Sequence, residues 1–289
     1  MRPVKADKNA RELEKAIFNF YYDKENVGAT AVLNSVKRGI ENNIMVIVPI
    51  EKPRNTKKTM NVRFRRLPVG NEGKYFIPVF TSQKELKKGK PTSVMVQPLK
   101  ELLENVDKWA DCIGFVVNPW GDKLMMDREM IKLVLGYTPK SHISFIKGSV
   151  DELYVNAIVK PVAEGECGTG SVKLTELEAP SEVDYLISAS APDYSEDEEA
   201  AKLLASCYKN ALDAAFEKGC VSVAFPFLSA GANGFPAPIA ADISMAAVFD
   251  WFEAHSDIVM DVYFCCHEYA EFVACKRIVD KIREKAKEQ

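Results

Sequence analysis

The stretch from Val221 to Pro236 constrains the fold of this chain more than any other. It reads Val-Ser-Val-Ala-Phe-Pro-Phe-Leu-Ser-Ala-Gly-Ala-Asn-Gly-Phe-Pro and is followed by a helical pattern to about residue 254. A buried strand that enters a helix through a loop with Gly231 and Gly234 is typical of an anion site. Glycines let backbone N–H groups approach a ligand, and the first helical turn offers unpaired donors. We therefore expect a phosphate-bearing ligand here.

Length and charge narrow the function classes. The chain has 289 residues, enough for two domains that each bury a core, and its formal net charge is −3. This charge disfavours nucleic acid or an anionic membrane as the main partner. No apolar run approaches the roughly 20 residues of a membrane span, and no apolar stretch follows the charged amino terminus. The sequence therefore predicts a cytoplasmic protein with neither partner.

The cysteines predict neither a disulfide framework nor a metal site. Seven of them are scattered without a repeated spacing, which is typical of reduced core thiols in a chain without an export signal. Cys265, Cys266, His267 and Cys275 could suggest zinc. Adjacent cysteines on a strand point to opposite faces, however, so we expect no metal and no cofactor.

A basic cluster in the first half has two interpretations. Lys57, Lys58, Arg63, Arg65 and Arg66 could hold a nucleic-acid backbone, because clustered cations bind phosphates. The alternative is a loop and the solvated face of a strand. No stacking aromatics or recognition motif accompany these charges, which favours the solvated face.

Two motifs in the first half resemble the N-terminal domain of the SseB family. They are Phe76-Ile-Pro-Val-Phe-Thr-Ser-Gln-Lys-Glu-Leu86 and Gly114-Phe-Val-Val-Asn-Pro-Trp-Gly121, and the match spans roughly residues 10 to 135. The resemblance implies an α+β domain without established chemistry, open to a protein partner. Trp109 and Trp120 are interpreted as core and turn packing rather than as a ligand cage. We expect this domain to cover residues 1–138.

The second half alternates strands with helices. Strand patterns occur at residues 141–147, 153–159, 183–189, 221–228 and 258–266, with helical patterns after the last three. This alternation predicts an α/β domain over residues 139–289, in three α/β/α layers with a mixed, largely parallel sheet. Ligands of such sheets bind at the carboxyl ends of the strands.

This half resembles the macro domains, which bind ADP-ribose and related nucleotides. The resemblance rests on Leu203-Leu-Ala-Ser-Cys-Tyr-Lys-Asn-Ala-Leu212, on residues 223–236, and on Cys167-Gly-Thr-Gly-Ser-Val-Lys173. In the family, the second binding loop wraps the diphosphate. The resemblance implies that this role falls to the following residues: Ser229, Ala230, Gly231, Ala232, Asn233, Gly234 and Phe235.

Two departures from the macro pattern bear on activity. Ser149 stands where the family has the aspartate that receives the adenine amino group, and Asp151 follows two places later. The family's Asn-Ala-Ala-Asn segment and glycine-rich first loop are absent. Only Lys160-Pro-Val-Ala-Glu-Gly165 separates the strand from Cys167.

Three functions follow as hypotheses. The favoured one is a macro-like module without catalytic residues, or with weak activity, that binds ADP-ribose or another nucleotide diphosphate through residues 229–235, with Ser149 and Asp151 at the adenine end. The second is a protein-interaction scaffold without a small ligand. The third is a hydrolase of ADP-ribosyl groups or O-acetyl-ADP-ribose, which requires a positioned water and groups that hold ribose and diphosphate.

Overall fold

The structure is a computed structural model, and it describes residues 8–23, 28–51, 63–162, 165–178, 181–195, 198–228 and 233–287. The chain divides into two compact units. The first unit includes Ala29–Pro139 and the first helix, and the second includes the residues from Lys140 onward. None of the described helices has an apolar stretch long enough to cross a bilayer.

The first unit mixes helices with two small sheets. Its helices are α1 Lys8–Tyr22, α2 Thr30–Glu41, α3 Gln83–Lys87, α4 Leu99–Glu104 and α5 Arg128–Gly136. Its strands are β1 Met45–Ile50, β2 Leu67–Pro68, β3 Tyr75–Val79, β4 Ser93–Pro98, β5 Cys112–Val117 and β6 Leu124–Asp127. Strands β1 and β4 pair antiparallel, and the other described strands follow the order β2-β3-β5-β6. Only the β3–β5 pair is parallel.

Local signals explain several of these elements. Ser82 accepts a hydrogen bond from the Glu85 amide and begins α3, as its sequence pattern predicts. Asp127 caps α5 in the same way, through the Met130 amide. Before β2, Phe64 makes an isolated bridge to Ile50, and the ladder with β3 begins at Leu67.

The second unit is built on a mixed sheet. Its strands are β7 His142–Lys147, β8 Ala157–Pro161, β9 Val172–Glu176, β10 Tyr185–Ala189, β11 Ser222–Pro226 and β12 Asp261–Cys266. The described strands follow the order β7-β12-β11-β8-β10-β9, and every neighbouring pair is parallel except β10–β9. The predicted α/β class with a mixed, largely parallel sheet is confirmed.

Three helices pack on one face of this sheet. They are α6 Glu198–Glu217, α7 Ala237–Ala254 and α8 Tyr269–Lys287, with α7 in contact with both others. Phe225 and Phe264 from the sheet share a buried cluster with Tyr208, Val248 and Cys275 from the three helices. Full burial of such a side chain contributes about 1.5–3 kcal/mol, so this cluster holds the helices to the sheet.

Asn156 aligns three parallel strands at their amino ends. The residue is buried, and its Oδ1 accepts from the Val221 and Ser222 amides at 3.0 and 3.2 Å, just where β11 begins. Its Nδ2 donates to Asp184 Oδ2 at 2.9 Å, and its carbonyl accepts from the Asp184 and Tyr185 amides where β10 begins. One side chain therefore sets the relative positions of β8, β10 and β11.

We expect the substitution Asn156→Ala to destabilise the protein by about 3 kcal/mol, because it leaves buried amides without an acceptor. Urea denaturation followed by circular dichroism measures this change. The control is Ser206→Ala, which removes an exposed hydroxyl bonded to Lys202 and should change stability by less than about 0.5 kcal/mol. Equal stability of the two variants would show that Asn156 does not hold the strands.

Candidate functional site

Ser149, one of the predicted binding residues, lies at an edge of the second sheet where four parallel strands end. Strands β7, β8, β10 and β11 run in the same direction, so their carboxyl ends share an edge. Ser149 follows β7, Lys160 lies near the end of β8, Ser190 follows β10 and Leu228 follows β11. Carboxyl ends of parallel strands are where ligands of α/β folds bind.

The buried Tyr208 hydroxyl holds the chain just after β11. The Leu228 amide donates to the Tyr208 hydroxyl at 2.9 Å, and both residues are fully buried. Burial raises the pKa of Tyr208 far above its usual range. The hydroxyl therefore stays protonated and neutral. Four of the predicted binding residues, Ser229, Ala230, Gly231 and Ala232, come directly after this anchor and lie outside the described residues.

The remaining loop residues contact the segment after β10. The Asn233 carbonyl accepts from the Tyr194 amide at 2.8 Å, and its Nδ2 donates to the Ala191 carbonyl at 3.1 Å. Gly234 has φ +75°, a conformation that favours glycine. The buried Phe235 ring packs edge-on against Tyr194 at 5.1 Å. Asn233 therefore has a structural role at the end of the loop.

Helix α7 begins directly behind this loop. No side chain caps its amino end at Pro236, and its first turn contains no acidic residue. Pro238 has no N–H, and the Ile239 amide bonds to the Pro236 carbonyl. The positive end of the helix dipole is therefore not neutralised by a carboxylate of its own first turn, which favours an anion at this position.

Ser149 and Asp151 follow β7 in a short 3-10 helix, Val150–Glu152. The Ser149 amide donates to Glu152 Oε2 at 2.9 Å, and the Ser149 hydroxyl accepts from the Asp151 amide at 3.3 Å. This reciprocal capping box engages the Ser149 amide as a donor and the Ser149 hydroxyl oxygen as an acceptor. The Asp151 carboxylate pairs with Lys160 Nζ at 2.7 Å, and both side chains are about half exposed. Asp151 is thus the more accessible of the two for a ligand.

The Cys167–Lys173 segment lies beside the end of β10. The Gly170 amide donates to the Ser190 carbonyl at 2.8 Å, and the Gly170 carbonyl accepts from Asn210 Nδ2 at 2.8 Å. A Cβ on Gly170 would fall 2.8 Å from Leu203 Cδ2, so only glycine fits against α6. The segment then enters β9, an antiparallel edge strand that the sequence analysis did not predict.

The described thiols and carboxylates show neither a reactive thiolate nor a metal-binding cluster. Burial raises the pKa of the Cys207 thiol, which lies near Cys167, to about 12, so it is not a thiolate at neutral pH. The seven cysteines, all within the described part of the chain, are free thiols. Among the described residues, no group of three or more His, Cys, Asp or Glu side chains could hold a metal ion.

Sequence reasoning missed three residues that shape the site: Tyr194, Glu152 and Lys160. Tyr194 contacts Phe235 from a non-periodic segment, so no repeat pattern points to it. Glu152 has a detectable signal, because Ser149 and Glu152 have the spacing of a capping box. Lys160 pairs with Asp151 only because β7 and β8 end at the same edge.

Two family models match the chain. Residues 25–132 match the SseB protein N-terminal domain, and residues 148–244 match the Macro domain. Both resemblances noted in the sequence are therefore confirmed, in the predicted order.

Individual relatives cover parts of the second unit. A macro domain-containing protein of Listeria monocytogenes is 35% identical over 106 residues, which cover 36% of this chain and 60% of that protein. A protein of Cronobacter sakazakii named O-acetyl-ADP-ribose deacetylase is 35% identical over 83 residues, covering 29% of this chain and 46% of its own length. The chain thus spans less than two thirds of these relatives.

Among solved structures, the chain is similar to the Trypanosoma brucei macrodomain in complex with ADP-ribose. The sequence identity is 22% and the TM-score is 0.43, with 48% of this chain and 69% of that one covered.

We expect Tyr208→Phe to lower the free energy of unfolding by about 1–3 kcal/mol, because the buried Leu228 amide loses its acceptor. Chemical denaturation measures the loss. Tyr269→Phe is the matched control, since the Tyr269 side chain is largely exposed, and it should leave stability within about 0.5 kcal/mol. A Tyr208→Phe variant as stable as the control would mean that the hydroxyl does not anchor the end of β11.

Proposed function

Because the chain joins an SseB N-terminal domain to a macro domain, we propose that its second unit binds a phosphate-bearing ligand of the ADP-ribose or nucleotide diphosphate type. Residues 229–235 and the amino end of α7 bind the diphosphate. Ser149 and Asp151 lie at the adenine end. The module binds its ligand without catalysis or with only weak activity.

The observation that carries the proposal is the amino end of α7. It faces the carboxyl edge of a parallel sheet, directly after the loop, and neither a capping side chain nor an acidic residue in its first turn offsets its positive dipole. An anion near such a terminus gains about 0.3–1 kcal/mol from the dipole. The Ala237 amide is the donor of the first turn that can add to this, since Pro238 has no N–H and the Ile239 and Ala240 amides bond to the Pro236 carbonyl. A diphosphate, with two adjacent charged groups, suits this position.

The adenine end rests on Asp151. Within the capping box the Ser149 amide donates and its hydroxyl oxygen accepts, so its O–H is the group that it can offer to a ligand. The Asp151 carboxylate is part-exposed, and Lys160 Nζ contacts it through Oδ1. An acceptor of this kind pairs with an exocyclic amino group. We assign adenine recognition to Asp151.

Weak or absent catalysis follows from the shortened segment after β8. The four residues 162–165 stand between β8 and Glu166, where the macro family has its first binding loop. Hydrolysis at the distal ribose needs groups that hold both the ribose and a water. The chain retains the family's loop on the diphosphate side only. We therefore expect it to bind the ligand with little or no turnover.

Isothermal titration calorimetry of the full chain tests the proposal with ADP-ribose, ADP, AMP and inorganic phosphate. We expect dissociation constants on the order of micromolar for ADP-ribose and ADP, and weaker binding of AMP and phosphate, which lack the diphosphate. Absence of heat and of a thermal shift with all four would overturn the binding function and favour the scaffold alternative.

A charge placed in the first turn of α7 tests the location of the ligand. Ile239 is exposed, so Ile239→Glu should leave the fold intact, since an acid near a helix amino end is favourable. We expect it to weaken ADP binding by about tenfold or more through repulsion of the diphosphate. The matched control Ile239→Gln should bind within about threefold of the unmodified chain. Equal affinity of the two variants would place the ligand elsewhere.

The hydrolase alternative has its own readout. The full chain is incubated with O-acetyl-ADP-ribose and with an ADP-ribosylated protein, and the release of acetate or ADP-ribose is followed by chromatography. We expect release at or near the uncatalysed rate. Multiple turnovers that Asp151→Asn abolishes would contradict the non-catalytic function.

A further inference from the structure

The first unit contains a cavity that the proposed function does not use. Its volume is about 430 Å³, within the range of ligand-binding pockets. Its walls come from the ends of β1 and β3, from the residues before β2, from the residues around α3, and from the turn after β5. The residues that matter for recognition are Arg65, Arg66, Lys90, Phe80, Trp120 and Pro78.

The rim of the cavity is positively charged. Arg65, Arg66 and Lys90 are exposed, and the cavity lining contains no aspartate or glutamate among the described residues. The Arg66 guanidinium lies 4.3 Å from the centre of the Tyr75 ring, which holds it in place. For Arg65 and Lys90, no ion pair with another described residue occurs. These cations are therefore available to an anionic group.

The floor of the cavity is apolar and presents one tryptophan. Half of the Trp120 surface is exposed, and its ring lies 6.5 Å from the buried Phe80 ring. The indole packs directly against Gly89. A Cβ on Gly89 would fall 2.2 Å from Trp120 Nε1. The interpretation of Trp120 as turn packing is thus incomplete, because much of its surface faces solvent beside the cations.

The turn that carries Trp120 is firmly fixed. Asn118 is buried, with φ +50°, and its Oδ1 accepts from the Thr81 amide at 3.0 Å. Its Nδ2 donates to Thr81 Oγ1 at 2.9 Å. An aromatic side chain on a fixed turn loses little conformational entropy when it binds a partner, which favours a recognition role.

We propose that this cavity binds an acidic peptide segment of a protein partner, in which an aromatic residue or proline lies next to aspartate or glutamate. The apolar residue packs on Trp120 and Pro78, and the carboxylates pair with Arg65, Arg66 and Lys90. Arginine pairs with carboxylates through two parallel hydrogen bonds, which adds specificity to the charge attraction. A volume of about 430 Å³ accommodates one or two side chains rather than a whole helix.

A peptide fits these features better than a nucleic acid does. Binding of single strands uses several aromatic residues on which successive bases stack. Among the described residues that line the cavity, Trp120 is the one exposed aromatic ring, so successive bases have no second exposed ring there on which to stack. The basic cluster noted in the sequence thus gains a function through the tryptophan that lies beside it in the fold.

Selection from a displayed library of random peptides of about ten residues tests the proposal on the full chain. We expect the enriched peptides to combine aspartate or glutamate with an aromatic residue or proline. Fluorescence anisotropy then measures the affinity of one enriched peptide and of the same peptide with its acids replaced by amides. The amide version should bind about tenfold more weakly or worse.

Two variants and two matched controls locate the site. Trp120→Ala and the double variant Arg65→Gln with Lys90→Gln should each weaken peptide binding about tenfold or more. Leu133→Ala and Lys132→Gln change exposed residues of α5 outside the cavity and should bind like the unmodified chain. Thermal denaturation checks that each variant is folded.

Three results of the peptide experiments would overturn the proposal. They are the absence of enriched peptides, enrichment of peptides without acids, and binding that neither cavity variant weakens. A labelled single-stranded DNA of about 20 nucleotides is the competing probe; tight, Trp120-dependent binding of this DNA in place of peptide would also overturn it. ADP-ribose binding by the second unit is measured separately, so failure of either proposal is distinguishable from failure of the other.

Discussion

The second unit depends on one buried amide side chain at the amino ends of its strands. Asn156 bonds to the backbone where β10 and β11 begin, and it immediately precedes β8. A buried polar group stabilises a fold only when its hydrogen bonds are satisfied, and Asn156 satisfies its own with the strands that it aligns. Because the amino ends are aligned, the carboxyl ends open at one edge, where the candidate site lies.

The proposed site is built from two groups of residues at the carboxyl ends of the strands. Tyr208 holds the end of β11, and the uncapped α7 follows the loop. At the proposed adenine end, Ser149 is engaged in a capping box and Asp151 is paired with Lys160. We propose that this site recognises its ligand without turning it over, because the segment after β8 is short where the macro family has its first binding loop. A fold shared with hydrolases does not establish hydrolysis, because activity depends on the groups at the site.

Periodicity predicted the alternation of strands and helices in the second unit. The strand-to-helix order around β11 follows from local patterns, which a sequence displays directly. Two features could not be found in this way. Strand β9 is an edge strand in a segment that resembles a loop, and the cavity joins Arg65 to Trp120 across 55 positions of the chain. Contacts between residues distant in the sequence determine both the strand and the cavity, and local residue spacing does not reveal such contacts.

The central claim is that backbone amides from the loop and the first turn of α7 bind a diphosphate. A titration of the isotope-labelled chain with ADP-ribose, followed by amide chemical shifts in nuclear magnetic resonance, tests it residue by residue. The account predicts saturable shifts of the Gly231, Gly234 and Ala237 amides, with Asp151 also affected. Two results would contradict the account: ADP-ribose fails to bind, or it saturates the protein while the chemical shifts of these amides stay unchanged.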